Sequence, residues 1–174
     1  LQNPRLDSNN ITIFGISLGG IIGSISSGLI PQVGKYNLMG TGGDFAKILF
    51  NKIKVDPTSP YVVDFIKAGW GENETRLQLS ALDPIVWAHN AKNSQLQFLN
   101  SNNDEILDNE LNIKKLINEY SANNLVIRKA YSGDHEPESG TWAEKWTVFK
   151  EIFLPSYQFI LKGTRGPTSC YQRP

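Results

Sequence analysis

Apolar positions come in short uninterrupted runs separated by polar or glycine-rich stretches. Ile11 to Phe14 follows the polar run Asp7-Ser8-Asn9-Asn10 without any alternation, which predicts a strand buried on both faces, central in its sheet. From Leu18 the chain stays small and apolar for about three helical turns, through Ile21, Ile22 and Ile25 to Gly28, and predicts a helix. Further strands are expected at Tyr36–Met39, Leu96–Leu99 and 125–130, and further helices at 111–121 and from Trp142 to about Leu154. Between the second and third strands, residues 44–93 read as a long, mostly helical interval broken at Pro57, Pro60, Gly69, Gly71 and Pro84. It is longer than an ordinary crossover, so part of it is expected either to cover a site as a cap or to form a multi-helix layer that packs on the sheet alone. Strand and helix alternate throughout. The fold class expected is α/β, a mainly parallel sheet flanked by helices. Residues 1–162 form the domain, and 163–174, with Gly, Pro and Ser, read as a mobile tail.

The first strand and helix meet at Gly15-Ile16-Ser17-Leu18-Gly19. A corner this tight forces strained backbone, and glycines flanking the serine remove Cβ atoms that would collide there. The same serine could simply cap the helix. With a strand before it and a helix after it, however, the pentapeptide resembles the nucleophile turn of the α/β-hydrolase superfamily of lipases, esterases and related acyl hydrolases. "ISLGGIIGS", with the glycine-rich turn after the next strand, is most similar to bacterial extracellular or virulence-associated lipases.

The resemblance implies an order along the chain of Ser, then Asp or Glu, then His. Only two histidines are present, His89 and His135, and the order favours His135, in the turn-rich segment "YSGDHEPESG" beyond the last strand. His89, in "DPIVWAHN", is expected to be structural or solvent-facing. For the acid, Asp104 leaves the C-terminal end of the Leu96–Leu99 strand, the edge at which open α/β sheets place ligands. Glu105, Asp108 and Asp134 are its rivals, and an Asp in such a loop can also serve an Asx turn. The resemblance thus implies Ser17 as nucleophile, His135 as base, Asp104 as its orienting acid and the Leu18 N–H as an oxyanion donor. It implies no metal or organic cofactor, and two histidines and one cysteine far apart offer no zinc-ligand spacing. The substrate implied is a small-molecule or lipid ester cleaved through an acyl-enzyme. Thioesters and peptides yield to the same groups, and a non-catalytic interaction module is the reading from a different class.

Composition removes some partners. Lys plus Arg and Asp plus Glu both number 17, so no basic excess points to nucleic acid. No stretch approaches the ~20 apolar residues of a transmembrane helix. Residues 1 to 10 are polar and do not read as a signal peptide. The single Cys170 makes no internal disulfide and leaves the compartment open; the resemblance alone leans towards an extracellular or cell-envelope setting. "GTGGD", residues 40–44, could suggest a phosphate loop, but it lacks the Lys-Ser/Thr ending and carries Asp44, so a helix cap is the expectation.

Ten residues precede the first strand, and they resemble the tail of a helix and its turn. The family fold has several strands before the serine corner, one followed by the loop that gives the second oxyanion donor. The expectation is therefore the C-terminal part of the fold, completed by an N-terminal half or a partner chain.

Overall fold

The computed structural model describes residues 10–30, 32–120, 122–135 and 141–162. The expectations for residues 1–9 and for the 163–174 tail lie outside them. Four strands, β1 (Thr12–Ile16), β2 (Lys35–Met39), β3 (Gln95–Ser101) and β4 (Leu125–Tyr131), pair in parallel in the order β1-β2-β3-β4. The register aligns Gly15 with Leu38, and Leu38 with Phe98. Helix α1 (Leu18–Leu29) follows β1, and helices α2 (Phe45–Val55), α3 (Pro60–Lys67), α4 (Glu72–Gln78) and α5 (Pro84–Ala88) fill the interval between β2 and β3. Beyond β3 come a π-helical turn, Asn109–Lys114, and α6 (Lys115–Glu119). Beyond β4, α7 (Trp142–Val148) passes through a second π-helical turn, Phe149–Phe153, into α8 (Leu154–Lys162).

Continuous apolar runs make buried strands because both faces meet packed helices. β2 and β3 obey this: Tyr36, Leu38, Leu96 and Phe98 are fully buried in one cluster that Leu116 of α6 joins, and Leu99 is fully buried in another with Met39, Tyr131 and Ile152. Two polar residues buried in these strands are bonded to each other, Gln97 Nε2 donating to Asn37 Oδ1 at 3.1 Å. Next to the first of these clusters, Ile21 of α1 and Ile48 of α2 pack with Leu107 and Ile113.

β1 departs from the expected central strand. It stands at the edge of the described sheet, and Ile11, Phe14 and Ile16 are 49%, 45% and 52% exposed. Among the described residues nothing pairs with its far side, so the residues that read as doubly buried are covered on one flank only. Trp146, Phe149, Phe153 and Tyr157 form a second exposed apolar row, at helical spacing, along α7 to α8. Contiguous exposed apolar surface of this kind marks a contact face.

Candidate active site

The corner between β1 and α1 holds Ser17 at φ 52° and ψ −116°, left-handed backbone that a residue with a Cβ rarely adopts. Its N–H donates to Met39 O at 2.8 Å, which ties the corner to the end of β2, and its side chain makes no capping bond to α1. The helix-cap role is therefore not what the hydroxyl does. A Cβ on Gly15 would lie 2.2 Å from Gly19 O, so the turn closes only with glycine at 15. The second steric demand falls elsewhere than expected: a Cβ on Gly19 would meet nothing, whereas one on Gly20 would lie 2.9 Å from Met39 O. Gly20 is what lets α1 start directly against β2.

Ser17 Oγ lies 2.9 Å from His135 Nε2. On the other side of the ring, His135 Nδ1 lies 2.8 Å from Asp104 Oδ2. The two side chains are 10% and 0% exposed. Asp104 uses its other oxygen locally, Oδ1 accepting the N–H groups of Ile106 at 2.9 Å and Leu107 at 2.8 Å. It is both the Asx-turn residue and the partner of the imidazole. Three residues separated by 31 and 118 positions thus form one hydrogen-bonded chain at the C-terminal edge of the sheet.

The histidine is held from several directions. Tyr131, the buried last residue of β4, donates its hydroxyl to His135 O at 3.0 Å. Burial, with the nearby Asp104 charge, pushes that phenol up to about 12, so it remains a donor across the neutral range. Ser101 Oγ donates to the carbonyl of Gly133 in the same loop. Gly40, at φ 57°, lies beneath the ring: a Cβ there would come within 3.2 Å of His135 Cε1.

The structure sets the rivals apart from this chain. Glu105, Asp108 and Asp134 are exposed, and Asp108 Oδ1 caps the π-helical turn by accepting from Glu110 N and Leu111 N. His89 is exposed at the C-terminal cap of α5. The glycine-rich turn is a helix cap, Asp44 accepting from Lys47 N at 3.3 Å. Asp83 takes the amides of Asp44 and Phe45 at 3.2 and 3.0 Å, and so places a carboxylate where a phosphate would have to sit. The turn's own amides are also engaged, Gly40 N with Leu99 O and Gly43 N with Asn112 O. The Leu18 N–H, in contrast, belongs to the first turn of α1, where a helix provides no internal acceptor. Among the described residues no His, Cys, Asp and Glu cluster could hold a metal, and no helix is long and apolar enough to cross a membrane.

Beside Ser17 opens a cavity of about 390 Å³. Its walls are Ile21 of α1, Ile48, Leu49 and Ile53 of α2, and Ile106 and Leu107 from the loop that carries Asp104. Among the described residues of the 44–93 interval, those that line it come from α2, with Ser59. Sequence reasoning missed α2 as a wall. The signal was present in the 3.6-residue recurrence of Phe45, Ile48, Leu49 and Ile53, which marks an apolar face without telling what it faces.

Acetyl xylan esterase 1 from Thermoanaerobacterium sp. JW/SL YS485 matches with a TM-score of 0.66 at 18% identity, over 93% of this chain and 48% of that one. An esterase from Pyrococcus furiosus matches at 0.62 and 14% identity, over 90% of this chain and 55% of that one. The acylaminoacyl peptidase of Pyrococcus horikoshii gives 0.65 at 16% identity, over 95% and 26%. The chain therefore has the α/β-hydrolase fold, and spans about half the length of the first two of these proteins. No family model and no curated protein matches its sequence.

Proposed function

We propose that the chain is the C-terminal part of a serine hydrolase that cleaves carboxylic esters. The observation that carries this reading is the continuous chain Ser17 Oγ, His135 Nε2, His135 Nδ1, Asp104 Oδ2. For Nε2 to accept the serine proton, the neutral ring must carry its proton on Nδ1, and that is the tautomer an acceptor such as Asp104 selects. Ser17 Oγ then bonds to the acyl carbon as its proton passes to Nε2, and the carbonyl electron pair moves onto oxygen, where the Leu18 N–H donates to it. Collapse breaks the bond to the alcohol, which leaves with the proton from Nε2. Water repeats the sequence on the acyl-enzyme, returning the acid and free Ser17. The apolar cavity beside Ser17 suits the acyl part of a small-molecule or lipid ester, and helix α2 of the 44–93 interval serves as its cover. That the similar solved structures include two esterases and one peptidase supports acyl transfer without separating ester from amide.

The experiment is labelling of the intact protein with a fluorophosphonate, followed by peptide mapping. Addition to Ser17 is expected, and an unlabelled Ser17 in folded protein would favour the other reading, a non-catalytic interaction module. That second reading draws on the glycine-turn amides of Gly40 and Gly43 already being engaged, which leaves a second oxyanion donor to come from elsewhere.

Two further results are expected. Gly40→Ala puts a methyl group against the imidazole at a backbone angle that costs about 1 kcal/mol for a residue with a Cβ. Displacing the ring should lower ester kcat roughly 10- to 100-fold with a cooperative thermal transition retained. An unchanged kcat would mean that the ring tolerates the contact. The second result concerns the exposed β1 edge, which the reading assigns to an N-terminal half of the fold or a partner chain. Expressed alone, residues 1–174 are expected to be insoluble or inactive, and gel filtration with an esterase assay decides it. A monodisperse active monomer would place the whole oxyanion site within this chain.

A further inference from the structure

The cavity beside Ser17 is walled mostly by apolar residues, and four polar side chains line it, Ser17, His135, Lys52 and Ser59. The place of the last two follows from α2. The helix begins at Phe45, just past the Gly40 turn that lies against His135, and its pocket-facing residues, 45, 48, 49, 52 and 53, run along one side. Seven residues at ~1.5 Å each set Lys52 about 10 Å further along the axis than Phe45. Ser59 follows the end of the helix, and its hydroxyl makes no capping bond to α3.

Lys52 is the one charged side chain among the described residues that line this cavity. Its partner is Asp56, at 3.9 Å, with the two side chains 39% and 40% exposed. An exposed i,i+4 pair at that distance holds the ammonium weakly. A lysine can lie along an apolar wall and send its ammonium to water, in which case the cavity is simply a slot for hydrocarbon. Lys52 and Ser59, the polar residues that line the cavity besides Ser17 and His135, go further.

We propose that the cavity takes acyl chains that end in a carboxylate, with the scissile carbonyl at Ser17 and the distal carboxylate at Lys52 and Ser59. This rests on the ester-hydrolase reading and names its substrate class: monoesters of medium-length dicarboxylic acids. A carboxylate entering an apolar slot loses hydration and needs a fixed cation in return, whereas a methyl end needs none.

The test compares p-nitrophenyl monoazelate with p-nitrophenyl nonanoate, using the intact wild-type protein and its Lys52→Met and Lys52→Arg variants. In the wild type, kcat/KM for the carboxylate-ended ester is expected to exceed that for the methyl-ended one about tenfold. Lys52→Met should abolish or invert this ratio, and Lys52→Arg should keep it. A ratio that is the same in wild type and Lys52→Met overturns the proposal. Binding of monomethyl azelate and methyl nonanoate to Ser17→Ala protein, followed by calorimetry, separates the two levels of the argument. If neither ester is hydrolysed but monomethyl azelate binds more tightly, and does so only with Lys52 present, the distal site stands and the hydrolase reading fails. If monomethyl azelate gains nothing from Lys52 in binding either, the distal site is wrong.

Discussion

Ser17→Ala is expected to remove ester hydrolysis by at least ~10⁴-fold, because what remains without the nucleophile is only positioning and oxyanion stabilisation. His135→Ala should lose a similar amount, and the double variant little more than either single one, since the groups act as a unit. The fold should tolerate the serine change. Its hydroxyl reaches His135 and does not cap α1, so the loss is one hydrogen bond of about 1 kcal/mol. Initial rates with p-nitrophenyl esters, together with circular dichroism of the same preparations, check both halves of this expectation. Ester turnover by Ser17→Ala at the wild-type rate would remove the serine from the chemistry.

Asp104→Asn is expected to cost about as much, ~10⁴-fold in kcat near neutral pH, while leaving the loop in place. The reason lies in how the carboxylate divides its bonds. An amide oxygen can keep the position of Oδ1 and go on accepting from Ile106 and Leu107, so its NH₂ takes the place of Oδ2. It then faces His135 Nδ1 as a donor. The ring must place its proton on Nε2, and it can no longer accept from Ser17. Asp108→Asn and Asp134→Asn should stay within about twofold of the wild-type rate, because both side chains are exposed and neither belongs to the hydrogen-bonded chain. Damage from either, with Asp104→Asn silent, would move the orienting role away from Asp104.

What could be read from the sequence depended on how local each cause is. A glycine-flanked serine between a strand and a helix is a local fact, and the Ser, Asp, His order narrowed the rest because the chain has only two histidines. The structure brings Ser17, Asp104 and His135 together, and places Asp44 at the helix cap expected of it. The parallel α/β sheet was legible for the same reason, since each buried strand is one short run. Contacts between distant elements left weaker traces. The apolar face of α2 was visible in its period, but that it walls a cavity depends on where β2 ends and how Asp104 turns. Gly20 sits one residue past the pattern that drew attention to Gly19, and only the nearness of Met39 O shows which glycine is sterically required. The π-helical turns at Asn109–Lys114 and Phe149–Phe153 escape a 3.6-residue reading by their geometry. β1 read as doubly buried from its apolar composition, and among the described residues it pairs on one side only.

The anchoring of α2 is uneven, and that has a consequence for how the cavity can diversify. Its first residues are fastened by the Asp83 carboxylate, and Asp44 is gripped in turn by Arg76 Nε at 3.1 Å. That guanidinium also holds Glu72 at 2.8 Å, and it is pushed to still higher basicity by its bonds to the two carboxylates. The far end has the backbone bond from Asp56 N to Lys52 O, the exposed Lys52–Asp56 pair and, a turn earlier, Asn51 Nδ2 donating to Ile106 O at 3.0 Å, next to exposed Lys54 and Val55. The helix is clamped by charged groups at the serine end and more lightly held at the other. Substitutions from Lys52 to Ser59 can therefore retune the depth and polarity of the cavity floor without disturbing the clamped end beside Ser17, so substrate range and chemistry are free to drift independently in descendants of this chain.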